Sequence, residues 1–131
     1  MCSVNAIGEL MARSDMNVRE IVTLLDAEII AGADRLDGID VERCFSADLM
    51  SDVLSRSHNN GILLTGLANI QAVRTADIAD IKAVCIVRGK KPEPPAVELA
   101  KEKNIPLFVT KKTMFEACGI LYGKGLKPVG E

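Results

Sequence analysis

The sequence predicts a single α/β domain with a mostly parallel β-sheet flanked by helices. Three short apolar runs, at residues 61–66, 82–89 and 105–110, are each followed by a segment with helical spacing. Apolar runs that alternate with helices are typical of parallel strands covered on both faces. The length of 131 residues fits one domain. Because the chain has no Trp and one Tyr, its core must consist mainly of Ile, Leu, Val and Ala.

The first helix of the domain is predicted to start after Asn17. Apolar residues follow with i, i+3, i+4 and i+7 spacing, which places them on one helical face. These residues are Val18, Ile21, Val22 and Leu25. Asn17 is a favourable N-cap, and Glu20 follows three residues later, as in a capping box. Residues 1–16 precede this pattern, so we expect an N-terminal extension there.

Short strands and turns are predicted between this helix and the first apolar run. Residues 27–32 favour a short strand that ends at a glycine, and a polar turn follows. Residues 39–45 alternate apolar and polar side chains, as in a half-buried strand. We expect Ser46 or Asp48 to cap a helix that ends at the SHNNG turn, residues 57–61.

The last helix is predicted by a capping box in which Thr113 is the N-cap and Glu116 the third helical residue. Its spacing predicts a buried stripe of side chains. The stripe consists of Met114, Phe115, Cys118, Leu121 and Tyr122. The domain is therefore expected to span residues 17–124, with residues 125–131 as a C-terminal tail.

Composition and charge argue against several classes of protein. The formal net charge is -2 and no long run of one sign occurs, so nucleic-acid binding is disfavoured. Neither an apolar run of about 18 residues nor a signal peptide is present, so we expect a cytoplasmic protein without membrane contact. The cysteines Cys2, Cys44, Cys85 and Cys118 form no C-x-x-C pair, which argues against a zinc or thioredoxin-type site.

The carboxyl ends of the three predicted strands are the best candidates for a ligand site. Ligands of open α/β sheets bind outside these ends, and parallel strands bring them to one edge. Glycines, cations and helix N-termini in such loops suit an anion. The candidate residues are Thr65, Gly66, Asn69, Arg88, Gly89, Lys90, Thr110, Lys111 and Thr113. The alternative is that these are ordinary solvated loops, because their spacing matches no phosphate-binding fingerprint.

Other chemical motifs are incomplete. The segment CGILYGKG, residues 118–125, has a cysteine in place of the first P-loop glycine and lies at a predicted helix end, so kinase activity is not expected. His58 stands at a helix end, where a surface histidine is favourable. Asp34, Asp37 and Asp40 do not have the spacing of a calcium loop, and we interpret them as a solvated turn. We expect no metal or cofactor.

Two further interpretations stay open. An enzyme that uses a cysteine would need His58 close to Cys44 or Cys85 in space. A DNA-binding helix-turn-helix is conceivable in residues 18–36, but the second element is short and rich in β-branched residues, which favours a strand.

The segments VREIVTLLDAEIIAG, ILLTG and KAVCIVRGKKPEPPAVELAKEKNIPLFVTKKTMFEA resemble the DRTGG domain. They are also similar to the N-terminal domain of HPr kinases and, more distantly, of Mur ligases. The resemblance covers residues 17–124 and is strongest from Lys82 to Gly123. The letters that name the family are replaced here by residues 65–69 after one strand and by Val87-Arg88-Gly89 after the next.

The resemblance implies a non-catalytic regulatory module that forms homodimers and is found in bacteria and archaea. Together with the strand ends, it leads to the hypothesis that the chain self-associates and senses a small anionic ligand such as a nucleotide. The alternative implied by the resemblance is an accessory protein of a redox system, of the hydrogenase type, that acts only through contacts with a protein partner.

Overall fold

The computed structural model describes residues 15–129, which form eight strands and five α-helices. The strands are β1 (Met16–Asn17), β2 (Glu28–Ala31), β3 (Asp40–Val41), β4 (Arg43–Ser46), β5 (Gly61–Thr65), β6 (Ala83–Ile86), β7 (Leu107–Val109) and β8 (Lys127–Pro128). The helices are α1 (Val18–Leu24), α2 (Met50–Leu54), α3 (Ile70–Ile78), α4 (Pro94–Lys103) and α5 (Met114–Gly123), with a 3-10 helix at Ala33–Gly38.

Six strands form one sheet in the order β2-β7-β6-β5-β4-β8. All neighbours in it are parallel except β2, which pairs antiparallel with β7. The short strands β1 and β3 pair with each other in a separate antiparallel ladder. The predicted fold class, a mostly parallel sheet flanked by helices, is therefore confirmed.

Helices cover both faces of the sheet. One apolar cluster joins α1 and α5 to one face, and a second cluster joins α2, α3 and α4 to the other. Alternate residues of β5 divide between the two clusters, since Ile62 and Leu64 belong to the first and Leu63 to the second. Because β5, β6 and β7 are buried on both faces, their apolar runs are continuous rather than alternating.

The outer strands were only partly predicted. Residues 27–32 contain β2 as expected, whereas β3 and β4 divide the single strand predicted at residues 39–45. In β2 the register shifts between Ile29 and Ala31, which leaves Ile30 without a partner on β7. The segment expected to be a tail contributes β8, which pairs with β4.

The helix caps follow the sequence at two of three positions. The Asn17 side chain accepts a hydrogen bond from the Arg19 N–H, and Thr113 and Glu116 form the complete capping box. The expected cap of α2 by Ser46 or Asp48 is wrong, because Leu49 holds the N-cap position and makes no side-chain hydrogen bond.

The predicted buried stripe of α5 is wrong at two residues. Leu121 is buried and Met114 and Cys118 are half-buried, but Phe115 is 89% and Tyr122 73% exposed. These two aromatic residues lie on the face of α5 that points away from the sheet, because Ala117 and Leu121 occupy the face toward it.

His58 is buried rather than exposed, so the surface interpretation is wrong. The residue is 6% exposed, and its ring lies edge-on to Phe45. Its Nε2 lies 2.7 Å from the Val53 carbonyl oxygen and therefore carries the proton, while Nδ1 has no hydrogen-bond partner among the described residues. The turn after α2 folds the ring inward, which the sequence pattern did not reveal.

Within residues 15–129, every helix is too short or too polar to cross a membrane.

We predict that Gly32→Ala destabilises the fold by about 2 kcal/mol. Gly32 has φ +82°, and a Cβ there would lie 2.8 Å from the Pro106 Cα. The free energy of unfolding in urea measures the loss. Gly38→Ala is the control, because a Cβ at Gly38 meets nothing within 4 Å, and its stability should stay within about 0.5 kcal/mol of the parent. Equal stability of the two variants would contradict this packing.

Candidate functional site

The candidate site is the edge of the sheet where β5, β6 and β7 end. We call it the strand-end edge and define it as residues 65–69, 87–91 and 110–113. Backbone hydrogen bonds join the three segments. Val87 N–H donates to Thr65 O (3.0 Å), and Gly89 N–H donates to Thr110 O (2.8 Å). The predicted convergence of the three strand ends is therefore present.

Gly66 provides space for an arginine and a carboxylate at the end of β5. A Cβ at this position would lie 2.5 Å from Arg88 Nη2 and 3.2 Å from Asp48 Oδ1. The Gly66 N–H donates to Asp48 Oδ1 at 2.6 Å. Asp48 was expected to cap a helix, and its position against Gly66 was missed because it stands 18 residues earlier in the chain. It contributes negative charge to this half of the edge.

The hydroxyls of Thr65 and Thr110 are already hydrogen-bonded within the protein. Thr65 Oγ1 donates to Asp48 Oδ1 (3.4 Å) and accepts from Leu67 N–H (3.1 Å). Thr110 Oγ1 donates to Leu25 O (2.7 Å) and accepts from Lys112 N–H (3.2 Å). Since both residues are buried, they shape the two loops rather than present their hydroxyls to solvent.

The helix caps occupy part of the N–H groups that the sequence led us to expect for an anion. Asn69 accepts from Gln71 N–H (3.0 Å) and so caps α3. The prolines Pro94 and Pro95 occupy the start of α4 and have no N–H. Thr113 caps α5, and its backbone and hydroxyl hydrogen bonds lower the pKa of Glu116. The exposed cations of the loops are therefore the main groups left for an anion at this edge.

The turn after β6 carries exposed cations on an unusual backbone. Arg88 and Gly89 have φ values of 64° and 67°. For arginine this left-handed conformation is disfavoured, and such residues cluster at functional sites. Lys90 and Lys111 are exposed beside them, and none of these cations forms an ion pair with another residue of the 15–129 segment.

A pocket of about 540 Å³ opens next to this turn. Its lining includes Gly89, Thr110 and Lys111 from the predicted set. It also includes residues that the sequence analysis did not select, namely Leu25, Asp26, Glu28, Ile30, Lys91, Pro92, Val97, Val109 and Lys112. Leu25, Asp26, Glu28 and Ile30 were missed because the position of β2 beside β7 cannot be read from local patterns. The other six predicted residues lie outside the pocket lining: Thr65, Gly66, Asn69, Arg88, Lys90 and Thr113.

The described cysteines and acidic residues do not form a reactive or metal-binding cluster. Burial raises the pKa of the Cys85 thiol to about 12, and burial with the nearby Cys118 and Cys85 thiols raises the pKa of Cys44. Asp37 pairs with Arg19 at 2.6 Å, which supports the solvated turn. Among residues 15–129, no His, Cys, Asp and Glu side chains group as metal ligands.

Comparisons with known proteins agree with this architecture. A family model described as the DRTGG domain matches residues 20–122. The fold resembles the crystal structure of the CBS and DRTGG domains of the regulatory region of Clostridium perfringens pyrophosphatase, complexed with the activator diadenosine tetraphosphate, with a TM-score of 0.66 and 20% identity. The match covers 86% of this chain and 48% of that one, so this chain spans about half of that structure. No curated protein matches significantly.

We predict that Cys85 reacts slowly with a thiol reagent at neutral pH. A pKa of about 12 in place of 9.0 lowers its thiolate fraction about a thousandfold, and burial restricts access further. Mass spectrometry of labelled peptides measures the rate, and the same peptide labelled in urea is the control. Labelling of Cys85 in the folded protein as fast as in urea would contradict an inert thiol. It would support the hypothesis of a cysteine-dependent enzyme.

Proposed function

The chain belongs to the DRTGG domain family, and from this premise we propose that it is a non-catalytic regulatory module that binds a small anionic ligand. The ligand site is the strand-end edge. The observation that carries the proposal is the Arg88-Gly89 turn, where a disfavoured backbone conformation presents unpaired cations beside a pocket. Strained turns of this kind persist where the surrounding structure holds them for a function.

We assign two kinds of role to the predicted site residues. Arg88, Gly89, Lys90 and Lys111 are exposed and are proposed to contact the ligand directly. The other predicted residues already have partners in the protein or supply space, and we propose that they hold the loops in place. These are Thr65, Gly66, Asn69, Thr110 and Thr113. Lysine and arginine side chains bind phosphates well, so phosphate compounds are the first ligands to test.

Nucleotides are a reasonable class within those compounds. The regulatory region of the clostridial pyrophosphatase was crystallised with diadenosine tetraphosphate. For this chain, whose identity to that protein is 20%, the support comes from its own turn and pocket. The inert thiols and the inward-facing ring of His58 support a role in binding rather than catalysis.

We also propose that the module self-associates through the outer face of α5. Phe115, Gly119 and Tyr122 follow one another at i, i+4 and i+7, and a Cβ at Gly119 would meet nothing within 4 Å. Both aromatic rings are largely exposed on this side of the helix, and exposed apolar side chains that lie together mark an interaction surface. Strand β8 is the edge strand of the sheet and lies beside this helix. A second copy of the chain can therefore cover the outer face of α5 and the edge of β8 together. A contact made only with another protein is the alternative use of this face.

We predict that Arg88→Ala combined with Lys90→Ala weakens phosphate or nucleotide binding about tenfold or more, because charge-assisted hydrogen bonds to the anion are lost. A thermal-shift titration measures binding, since a ligand of the folded state raises the melting temperature. The parent protein should show such a rise with at least one nucleotide or phosphate compound.

Arg74→Ala combined with Lys101→Ala is the matched control. It removes the same charges from exposed positions on α3 and α4 and should leave binding unchanged. If both double variants bind as the parent does, the ligand site lies elsewhere. If the parent binds no anion at all, the sensing role is wrong, and the accessory role through protein contacts becomes the better explanation.

We predict that Phe115→Glu converts the associated form to a monomer, because a carboxylate buried between two apolar faces has no partner. Light scattering after size-exclusion chromatography measures the mass. Ile78→Glu is the control, since Ile78 is 67% exposed on a different helix. A parent protein that is monomeric, or a Phe115→Glu variant that still associates, would count against this interface.

A further inference from the structure

The pocket beside the Arg88-Gly89 turn is built from parts of very different chemistry. It is bounded by the end of α1, by β2, by the loop from Gly89 to Pro92, by α4 and by the end of β7. Its volume of about 540 Å³ lies within the range of sites for small organic ligands, roughly 300 to 1,000 Å³. A bare phosphate needs far less room.

One wall of the pocket is apolar. Ile30 lines it from β2 and Val97 from α4, and Pro92 and Val109 also contribute. Ile30 is the residue left unpaired by the register shift in β2, so the irregularity of the strand falls where the strand lines the pocket. Irregularities of this kind are frequent next to binding sites because they redirect a side chain. This wall suits a flat ring.

Another part of the pocket lining is cationic. Lys91, Lys111 and Lys112 line the pocket, and none of them lies within ion-pair distance of an acidic residue of the described chain. Lys112 is close enough to Glu116 to help lower the pKa of that carboxyl. Lys112 is fixed to the turn, because its carbonyl accepts the Arg88 N–H at 2.9 Å. The Lys111 side chain runs close to Gly89, since a Cβ at Gly89 would lie 3.6 Å from Lys111 Cγ. We expect the anionic groups of a ligand to lie against these lysines.

Two carboxylates line the same pocket. Asp26 and Glu28 lie at the end of α1 and the start of β2, and both are exposed. They repel a bare polyanion, but they accept hydrogen bonds from hydroxyl and amino groups. The combination of an apolar wall, hydrogen-bond acceptors and cations selects a molecule that carries a ring, donor groups and an anionic tail.

We infer that the ligand is a phosphorylated nucleoside whose base lies against Ile30 and Val97 and whose phosphates meet Lys91, Lys111 and Lys112. The inference rests on the proposed anion-binding function and names its ligand class and the pocket that recognises it. Asp26 and Glu28 then bind the sugar hydroxyls or the amino group of the base. Lys91 and Lys112 therefore join the ligand-contacting residues, although they were not in the predicted set.

The test compares nucleotides with inorganic tripolyphosphate on the full chain. Calorimetric titrations with ATP, GTP and tripolyphosphate are made at equal ionic strength. We expect at least one nucleotide to bind about tenfold or more tightly than tripolyphosphate, because only the nucleotide contacts the apolar wall.

Val97→Glu places a carboxylate on the apolar wall and should weaken nucleotide binding about tenfold, because that charge is desolvated against the base. Leu99→Glu is the control, since Leu99 is also half-buried on α4 but lies outside this pocket. Glu28→Gln is a second variant at an exposed position. It should weaken nucleotide binding, because an N–H donor replaces one of the acceptor oxygens that face the donor groups of the nucleoside. It should strengthen tripolyphosphate binding, because it removes a charge that repels the bare polyanion.

The outcomes separate this inference from the proposed function. Tripolyphosphate that binds as tightly as every nucleotide, or nucleotide binding that neither Val97→Glu nor Glu28→Gln changes, overturns the nucleoside pocket while the anion site stands. No binding of any of these compounds overturns both. Tighter nucleotide binding that both pocket variants weaken, and that Leu99→Glu leaves intact, supports the inference.

Discussion

The parallel pairing of β5, β6 and β7 is the constraint on which the rest of the structure depends. Parallel neighbours need crossovers, and the crossover helices α3 and α4 cover one face of the sheet, while α1 and α5 cover the other. Strands buried on both faces must be apolar throughout, which accounts for the three continuous runs. The same pairing brings three strand ends to one edge and leaves the polar residues that follow them side by side. The apolar core and the candidate site therefore both follow from the parallel pairing of these three strands.

Most polar side chains of the strand-end edge form hydrogen bonds that cap helices or hold loops within the edge itself. Asn69 and Thr113 cap helices, Thr65 and Thr110 hold loops, and two prolines start α4. What remains exposed is the basic turn between β6 and α4. Backbone hydrogen bonds from Arg88 to Lys112 and from Gly89 to Thr110 hold this turn in its left-handed conformation. A fixed cationic turn next to a pocket lowers the entropy lost on ligand binding.

Local sequence patterns predicted the parts of the fold that local physics decides. The central strands, the caps at Asn17 and Thr113, and the meeting of the strand ends all follow from periodicity and capping. The burial of His58 and the exposure of Phe115 depend on which elements pack nearby, and a single helix pattern does not contain that information. The antiparallel pairing of β2 with β7 is also decided by tertiary packing. The pocket lined by Ile30 and Val97 could not be found without knowledge of that pairing.

The most direct test of a ligand site at the strand-end edge is an NMR titration of the isotope-labelled chain with a nucleotide. We expect the shifted backbone amides to cluster around Gly66, Gly89 and Lys111. The opposite edge of the sheet has its own pocket, of about 390 Å³, lined by residues that include Lys82 and Asn104. Shifts that cluster around that pocket, or a spectrum that does not change, would contradict a ligand site at the strand-end edge.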